Sequence, residues 1–320
     1  MTRATLARAS FARRLRWLPI AWAALHAALA CAEIQVTDDS GVAVVLATPA
    51  RRIVTLAPHA AELVFAAGAG ERVVGVVKGT DYPAAARRLP VIGDVTALDL
   101  ERIVMLAPDL VVTWPWTTPA QVAWLRGRGI AVFEANARTI DAIPTDVERI
   151  GALAGTQAVA SAAADALRAR LARLPGEAQE RPRMRVFYQV SGVPLYTLGG
   201  QHLVSQAIAR CGGENVFSAL AIPAPEVSVE AVLAADPQVI VAGTDDARRP
   251  AWLDAWSRWP TLAAVRHRNL FVVDANLLHR PGPRFVDGIE QLCAAVARGR
   301  RAIAAGAYNR AAGVASGSMK

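Results

Sequence analysis

Leu100-Glu101-Arg102-Ile103-Val104-Met105-Leu106-Ala107-Pro108-Asp109-Leu110-Val111-Val112 and Val229-Glu230-Ala231-Val232-Leu233-Ala234-Ala235-Asp236-Pro237-Gln238-Val239-Ile240-Val241 follow one pattern. Each has a glutamate, an apolar helical turn, a proline seven residues after the glutamate, and then an apolar strand. The two copies stand 129 residues apart, far beyond a solenoid repeat of roughly 20–50 residues. They predict a duplicated α/β lobe.

The flanking sequence repeats this alternation. Arg51 to Ala57 reads as a short apolar strand stopped by Pro58. Ala60 to Ala67 has helical spacing and ends at Gly68, a residue suited to stopping a helix. Val73 to Val77, Val111 to Thr113 and Ile130 to Phe133 are further strand runs, and Pro119 to Arg126 is a helix capped by Thr118. Strands alternating with helices of about ten residues indicate βαβ units and parallel sheets. From Gln157 to Leu174 the chain is rich in alanine, leucine and arginine and free of glycine and proline. One helix there, with Thr156 as its N-cap, is roughly 27 Å long, enough to cross between lobes. The strand pattern resumes at Arg185 to Val190. The expected fold is two Rossmann-like α/β lobes with parallel sheets joined by one long rigid helix. Its divisions are residues 50–150, an interlobe segment 151–178, residues 182–305, and a small, polar, disordered tail 306–320.

The start of the chain has a different character. Arg3, Arg8, Arg13, Arg14 and Arg16 precede the first acid, Glu33, and an apolar run from Trp17 to Ala30 follows. Small residues around Ala30-Cys31-Ala32 complete the pattern of a signal peptide spanning 1–32. The run is shorter than the about 20 residues a membrane span needs. A lipid anchor at Cys31 is the alternative exit, although the residues before it make a poor lipobox. Without 1–32 the chain carries 30 basic and 27 acidic side chains, a net +3 in place of +8. That balance, with no dense basic stripe, argues against nucleic acid. Cys211 and Cys293 then remain, to be read either as a disulfide in an exported protein or as two buried thiols.

The chain lacks Gly-x-Ser-x-Gly, His-Glu-x-x-His, a phosphate loop and Cys-x-x-Cys. No two of His26, His59, His202, His267 and His279 have metal-ligand spacing, and each of the last four reads as a surface or hydrogen-bonded structural residue. No catalytic residue, metal or cofactor is expected. The informative side chains are aromatic and sit in punctuated loops: Tyr82 in Thr80-Asp81-Tyr82-Pro83, and Trp114 and Trp116 in Trp114-Pro115-Trp116 directly after a strand. Open α/β sheets bind ligands at that edge, and such rings suit a broad, flat ligand. Packing under a proline-rich loop is the ordinary alternative. Trp252, Trp256 and Trp259 read as core or lobe surface.

At these residues the chain resembles the periplasmic cobalamin-binding proteins of ABC importers, in the class whose lobes are joined by one rigid helix (class III). The stretches that carry the likeness include Ile53 to Leu63, Thr80 to Pro83, Leu100 to Val112, Cys211 to Phe217, Arg280 to Arg284 and Gln291 to Cys293. The resemblance implies a monomeric substrate-binding protein that delivers a corrinoid to importer membrane subunits. It implies Tyr82, Trp114, Tyr196 and Arg280 as cleft residues, Glu101 and Glu230 as docking carboxylates on the two lobes, and a Cys211–Cys293 disulfide. One family tryptophan falls at Val95 and another near Ala224, an acidic cleft position becomes Asn276, and Trp116 is placed to compensate. A haem or ferric-siderophore binder of the same class is the alternative, with Tyr82 or His59 as the residue that would ligate haem iron. An α/β enzyme is a distant one.

Overall fold

A computed structural model describes residues 33–175, 182–245 and 248–317. The expected signal segment 1–32 and Cys31 lie outside them. The first lobe begins with an antiparallel hairpin, β1 (Ile34–Thr37) and β2 (Ala43–Leu46). There follow β3 (Ile53–Thr55), α1 (Pro58–Ala66), β4 (Val73–Gly75), and a small ribbon of β5 (Gly93–Asp94) with β6 (Ala97–Leu98). Next come α2 (Leu100–Met105), β7 (Leu110–Thr113), α3 (Pro119–Arg126) and β8 (Ala131–Glu134). Two antiparallel-packed helices, α4 (Ala142–Ala154) and α5 (Gln157–Ala172), lead out of the lobe. The second lobe contains β9 (Met184–Gln189), α6 (Leu203–Arg210), β10 (Gly213–Asn215), α7 (Val229–Ala235) and β11 (Val239–Thr244). It closes with the short helices α8 (Ala251–Asp254) and α9 (Ala263–Arg266), then β12 (Leu270–Asp274), α10 (Ala275–Leu278) and α11 (Phe285–Gly317).

The main sheets are all-parallel and have matching strand orders, β4-β3-β7-β8 and β10-β9-β11-β12. Parallel strands bury both faces, and the sequence supplies apolar side chains to both. Val54, Val111 and Val132 point to one face of the first sheet, while Ile53, Leu110, Val112 and Phe133 point to the other. In the second sheet Phe187, Ile240 and Ala242 face outward, and Val186, Tyr188, Val239 and Val241 face inward. The inward sets of both lobes join one continuous apolar cluster that also takes in α1, α4, α5, α6 and α11. Trp256 is buried in the outer cluster of the second lobe, with Trp252 and Trp259 packed against it, as the sequence suggested.

The repeat extends to backbone conformation. Asp99 caps α2 by accepting from Arg102 N, and Ser228 caps α7 by accepting from Ala231 N. Each helix ends at a non-glycine residue in the left-handed region, Ala107 (φ 43°) and Asp236 (φ 40°), at matched positions. Side chains at the matched pair two residues on perform one task. Asp109 accepts from the amides of Arg51 and Arg52, and Gln238 accepts from the amide of Arg185, each steadying the start of the neighbouring strand. The α3 boundaries agree with the expectation, and Thr118 with Gln121 forms a full capping box.

The connecting helix differs in detail. Residues 151–154 finish α4, and Gly155, with φ 65°, breaks the chain before α5 starts. Thr156 holds the N-cap position without capping, because its hydroxyl donates to Ala67 O (2.6 Å) at the end of α1. α5 ends at Ala172 rather than Leu174, so it is roughly 24 Å long. Its early turns pack on α4, where Gly151 leaves room for the methyl of Ala160. Its last turn reaches the second lobe through Arg170, which pairs with Asp287 and Glu290 of α11. The hairpin also extends the first lobe below residue 50, since Asp39 N donates to Glu134 O of β8 (3.2 Å). At the other end, alanine-rich residues 306–317 continue α11 as helix instead of starting a tail, consistent with alanine's high helix propensity.

Cys211, which caps the end of α6, is bonded to Cys293 on α11. The bond closes a loop with a sequence separation of 82 residues. Chain entropy assigns such a loop about 4–5 kcal/mol. The Cys211→Ala, Cys293→Ala double variant should therefore unfold at a clearly lower urea concentration than wild type. An unchanged midpoint would contradict this contribution.

Candidate ligand cleft

The carboxyl ends of the strands in both sheets face each other. Lobe one presents the loops after β3, β7 and β8, and lobe two presents the loops after β9 and β12. Between them lies a cavity of ≈ 640 Å³ lined by Trp114, Trp116 and Arg138 from the first lobe and His202, Gln206 and Phe285 from the second. A smaller chamber of ≈ 380 Å³, lined by Lys78, Val95 and Arg280, shares His59, Trp114 and His279 with it. The two chambers are parts of one cleft. Trp114 forms its centre: the ring meets His59 edge-on at 5.6 Å between centroids and tilts against Trp116 at 6.0 Å. Trp116 is 73% exposed at the rim.

Two polar seams hold the lobes together. On one side Arg284 grips Glu62 of α1 with both ends of its guanidinium, at 3.0 Å (Nε to Oε2) and 2.6 Å (Nη2 to Oε1). Arg280 donates to Asp81 at 2.6 Å and approaches Glu62 to 4.0 Å. The Arg284 guanidinium also lies 4.1 Å over the Tyr82 ring, a cation–π arrangement. On the other side the Gln206 amide donates to Arg138 O (2.8 Å), and Arg210 pairs with Asp141 (2.9 Å). Glu62 is 3% exposed. Burial pushes its carboxyl above the usual range, against the opposing pull of Arg284 and Arg280.

Of the histidines read as surface or hydrogen-bonded structural residues, His59 is buried, and His202 and His279 are half-buried and hydrogen-bonded. His59 is 2% exposed, and burial lowers its pKa to about 4 against an opposing hydrogen bond to the Ala135 backbone. Burial also lowers His202 to about 4, and it lowers His279, whose Nε2 lies 3.0 Å from the Tyr188 hydroxyl. Among the described residues no group of three or more His, Cys, Asp or Glu is arranged to hold a metal ion.

The structure brings together Trp114, Trp116 and Arg280 at the cleft, with Tyr82 beside it under Arg284. Tyr196 and Asn276 do not line either chamber. Tyr196 bridges to Glu226 on the second lobe, and the Asn276 amide donates to Asp245 O. Glu101 and Glu230 are exposed in the first turns of α2 and α7. Sequence reasoning missed that Glu62, Asp81 and Arg284 join the lobes and that His59, His202 and His279 share one cleft. The available signals were a single acid in the apolar stretch Ala60 to Ala67 and the pair of arginines in Arg280-Pro281-Gly282-Pro283-Arg284.

Two α/β lobes, a connecting helix and an interlobe cleft define a substrate-binding protein, and residues 53–277 match the periplasmic binding protein family. The chain belongs to that family. A vitamin B12-binding protein of Vibrio cholerae is 35% identical over 246 residues, which are 77% of this chain and 88% of that one. The crystal structure of the periplasmic vitamin B12 binding protein BtuF of Vibrio cholerae aligns with a TM-score of 0.72 at 33% identity, over 79% of this chain and 98% of that one. The periplasmic heme-binding protein RhuT from Roseiflexus sp. RS-1 aligns with a TM-score of 0.67 at 26% identity, over 78% and 98%.

Folding lowers the His59 pKa from 6.5 to about 4, so between these values the unfolded chain holds more protons and His59 costs stability as the pH falls. Other buried acids titrate in the opposite sense, among them Asp146, which burial and Asp39 raise to about 8. The clean comparison is therefore wild type against His59→Asn. The stability difference between them should shift against wild type by about 2 kcal/mol from pH 7 to pH 5. Urea titrations that give the same difference at both pH values would contradict a neutral, buried His59.

Proposed function

We propose that this chain is the periplasmic, ligand-carrying component of an ABC importer and that its cargo is a corrinoid such as cobalamin. The observation that carries this reading is the interlobe cavity centred on Trp114, with Trp116 at its rim, in a chain 35% identical to a vitamin B12-binding protein. A broad ring is held there by area and stacking, without covalent change. The continuous core shared by both lobes and the pairing of Arg170 with α11 support a small closing motion. The chain acts as a monomer that captures and releases its ligand rather than converting it.

The heme-binding neighbours favour a second reading, a haem carrier of the same architecture. Haem iron is held by an axial side chain. Of the expected ligands, His59 has its Nε2 buried, and Tyr82 lines neither chamber. The 35% identity to a vitamin B12-binding protein, against 26% to the heme-binding neighbour, makes corrinoid the preferred cargo. Glu101 and Glu230 are the importer-docking carboxylates in this reading. Their support is equivalence in the repeat, exposure, and a first-turn position on helices capped in the same way. A two-fold related pair suits a two-fold symmetric partner.

Calorimetric titration with cobalamin, cobinamide, haem and a ferric siderophore tests the cargo. Cobalamin or cobinamide should bind one to one, and binding of haem alone would replace the reading. Trp114→Ala should weaken corrinoid binding by about 1–3 kcal/mol, the scale of a buried aromatic contact. Wild-type affinity in that variant would remove Trp114 from the site. Docking has its own test, uptake by importer-containing liposomes. The Glu101→Arg, Glu230→Arg variant should bind ligand normally yet fail to deliver it, because like charges then meet across the interface. Normal uptake would free both residues of that role.

A further inference from the structure

His202 occupies the N-cap of α6 and lines the ≈ 640 Å³ cavity. Its Nδ1 accepts the backbone N–H of Val204 at 3.1 Å. A neutral imidazole has one acceptor and one donor nitrogen, so the cap puts the proton on Nε2. Turning the ring over would put Cδ2–H in place of the acceptor, and the Nδ1–H tautomer would set N–H against N–H; either loses the cap. Burial, with His279 nearby, lowers the pKa to about 4, which keeps the ring neutral and the tautomer fixed at ordinary periplasmic pH.

The surroundings leave this donor for a ligand. The Gln206 side chain is committed to the first lobe, donating to Arg138 O and accepting from Ile140 N. His279 has its Nε2 beside the Tyr188 hydroxyl. Among the described residues no acid lines the cavity, so the wall they form around His202 offers Nε2–H no carboxylate. Corrin rings carry amide side chains around their rim, and an amide carbonyl is a neutral acceptor suited to a neutral donor.

We propose that the Nε2–H of His202 donates to an amide carbonyl on the rim of the bound corrinoid, making His202 a specificity-determining residue that requires an acceptor at that point. The assignment rests on the corrinoid reading above. His202→Asn separates its two roles, because asparagine is among the best N-caps but cannot extend a donor from the far side of the ring.

The test is calorimetric titration of cobinamide into wild type and His202→Asn, with thermal melting of both and histidine ¹⁵N correlation spectra of the wild-type protein. The expected result is an unchanged melting temperature, affinity about tenfold weaker in the variant, and the Nε2–H tautomer for His202. Equal affinity in the two proteins overturns the assignment while leaving the corrinoid reading intact. So does an Nδ1–H tautomer in wild type, a result that holds even if the variant is unstable. Failure of wild type to bind any corrinoid overturns both.

Discussion

Glu62 is a carboxylate placed by an otherwise apolar helix at the contact between two lobes, and the geometry of the cleft depends on how its charge is met. Taking such a group out of water costs several kcal/mol. Within its own lobe α1 provides apolar neighbours and no cation. The compensation comes from Arg284 of the other lobe, whose two-pronged grip also fixes the angle between the elements that carry them. Arg280 extends the contact to Asp81, and Tyr82 is held beneath Arg284. An ion pair of this kind sets orientation more than it adds stability, since its attraction largely offsets desolvation. Here the orientation positions His59, Trp114 and His279 around one cleft.

The rest of the scaffold limits departures from that arrangement. α5 is packed on the first lobe through α4 and joined at its far end to α11 by Arg170. The inward faces of both sheets share an apolar cluster, so separating the lobes widely would expose surface as well as charge. This differs from a two-domain protein with a flexible linker, where relative motion is the default expectation. The duplicated architecture adds a second consequence. Matching strand orders and left-handed helix ends at Ala107 and Asp236 give each lobe the same outward corner, so the molecule presents two similar exposed helix starts.

Much of this was legible in the sequence because it is local. Pro119 to Arg126 was readable because its cap, Thr118, and its first-turn proline, Pro119, are adjacent in sequence. The repeat was readable because buried parallel strands need uninterrupted apolar runs, and because proline punctuates both copies alike. Trp114 and Trp116 were readable as ring-shaped side chains following such a strand. What escaped was long-range. Glu62 and Arg284 are 222 residues apart, and nothing local marks them as partners. The histidines gave no spacing signal because they come from separate elements, His59 from α1 of the first lobe and His202 and His279 from the ends of α6 and α10 in the second. Thr156 was placed correctly and given the wrong bond, since the carbonyl it satisfies belongs to α1. Tyr196 and Asn276 were matched by sequence likeness; Tyr196 pairs through its backbone with Glu226 and the Asn276 amide donates to Asp245 O, and neither lines the two chambers.

In the function proposed above, a nearly preformed cleft, set by the Glu62–Arg284 contact and walled by Trp114, receives a flat corrinoid between the lobes. A crystal structure of the chain with bound cobalamin measures this most directly. The claim predicts the corrin ring between the lobes in contact with Trp114, the Glu62–Arg284 pair intact, and little change in the relation of the two lobes. A corrinoid bound outside this cleft, or lobes swung apart with that pair broken, would contradict it.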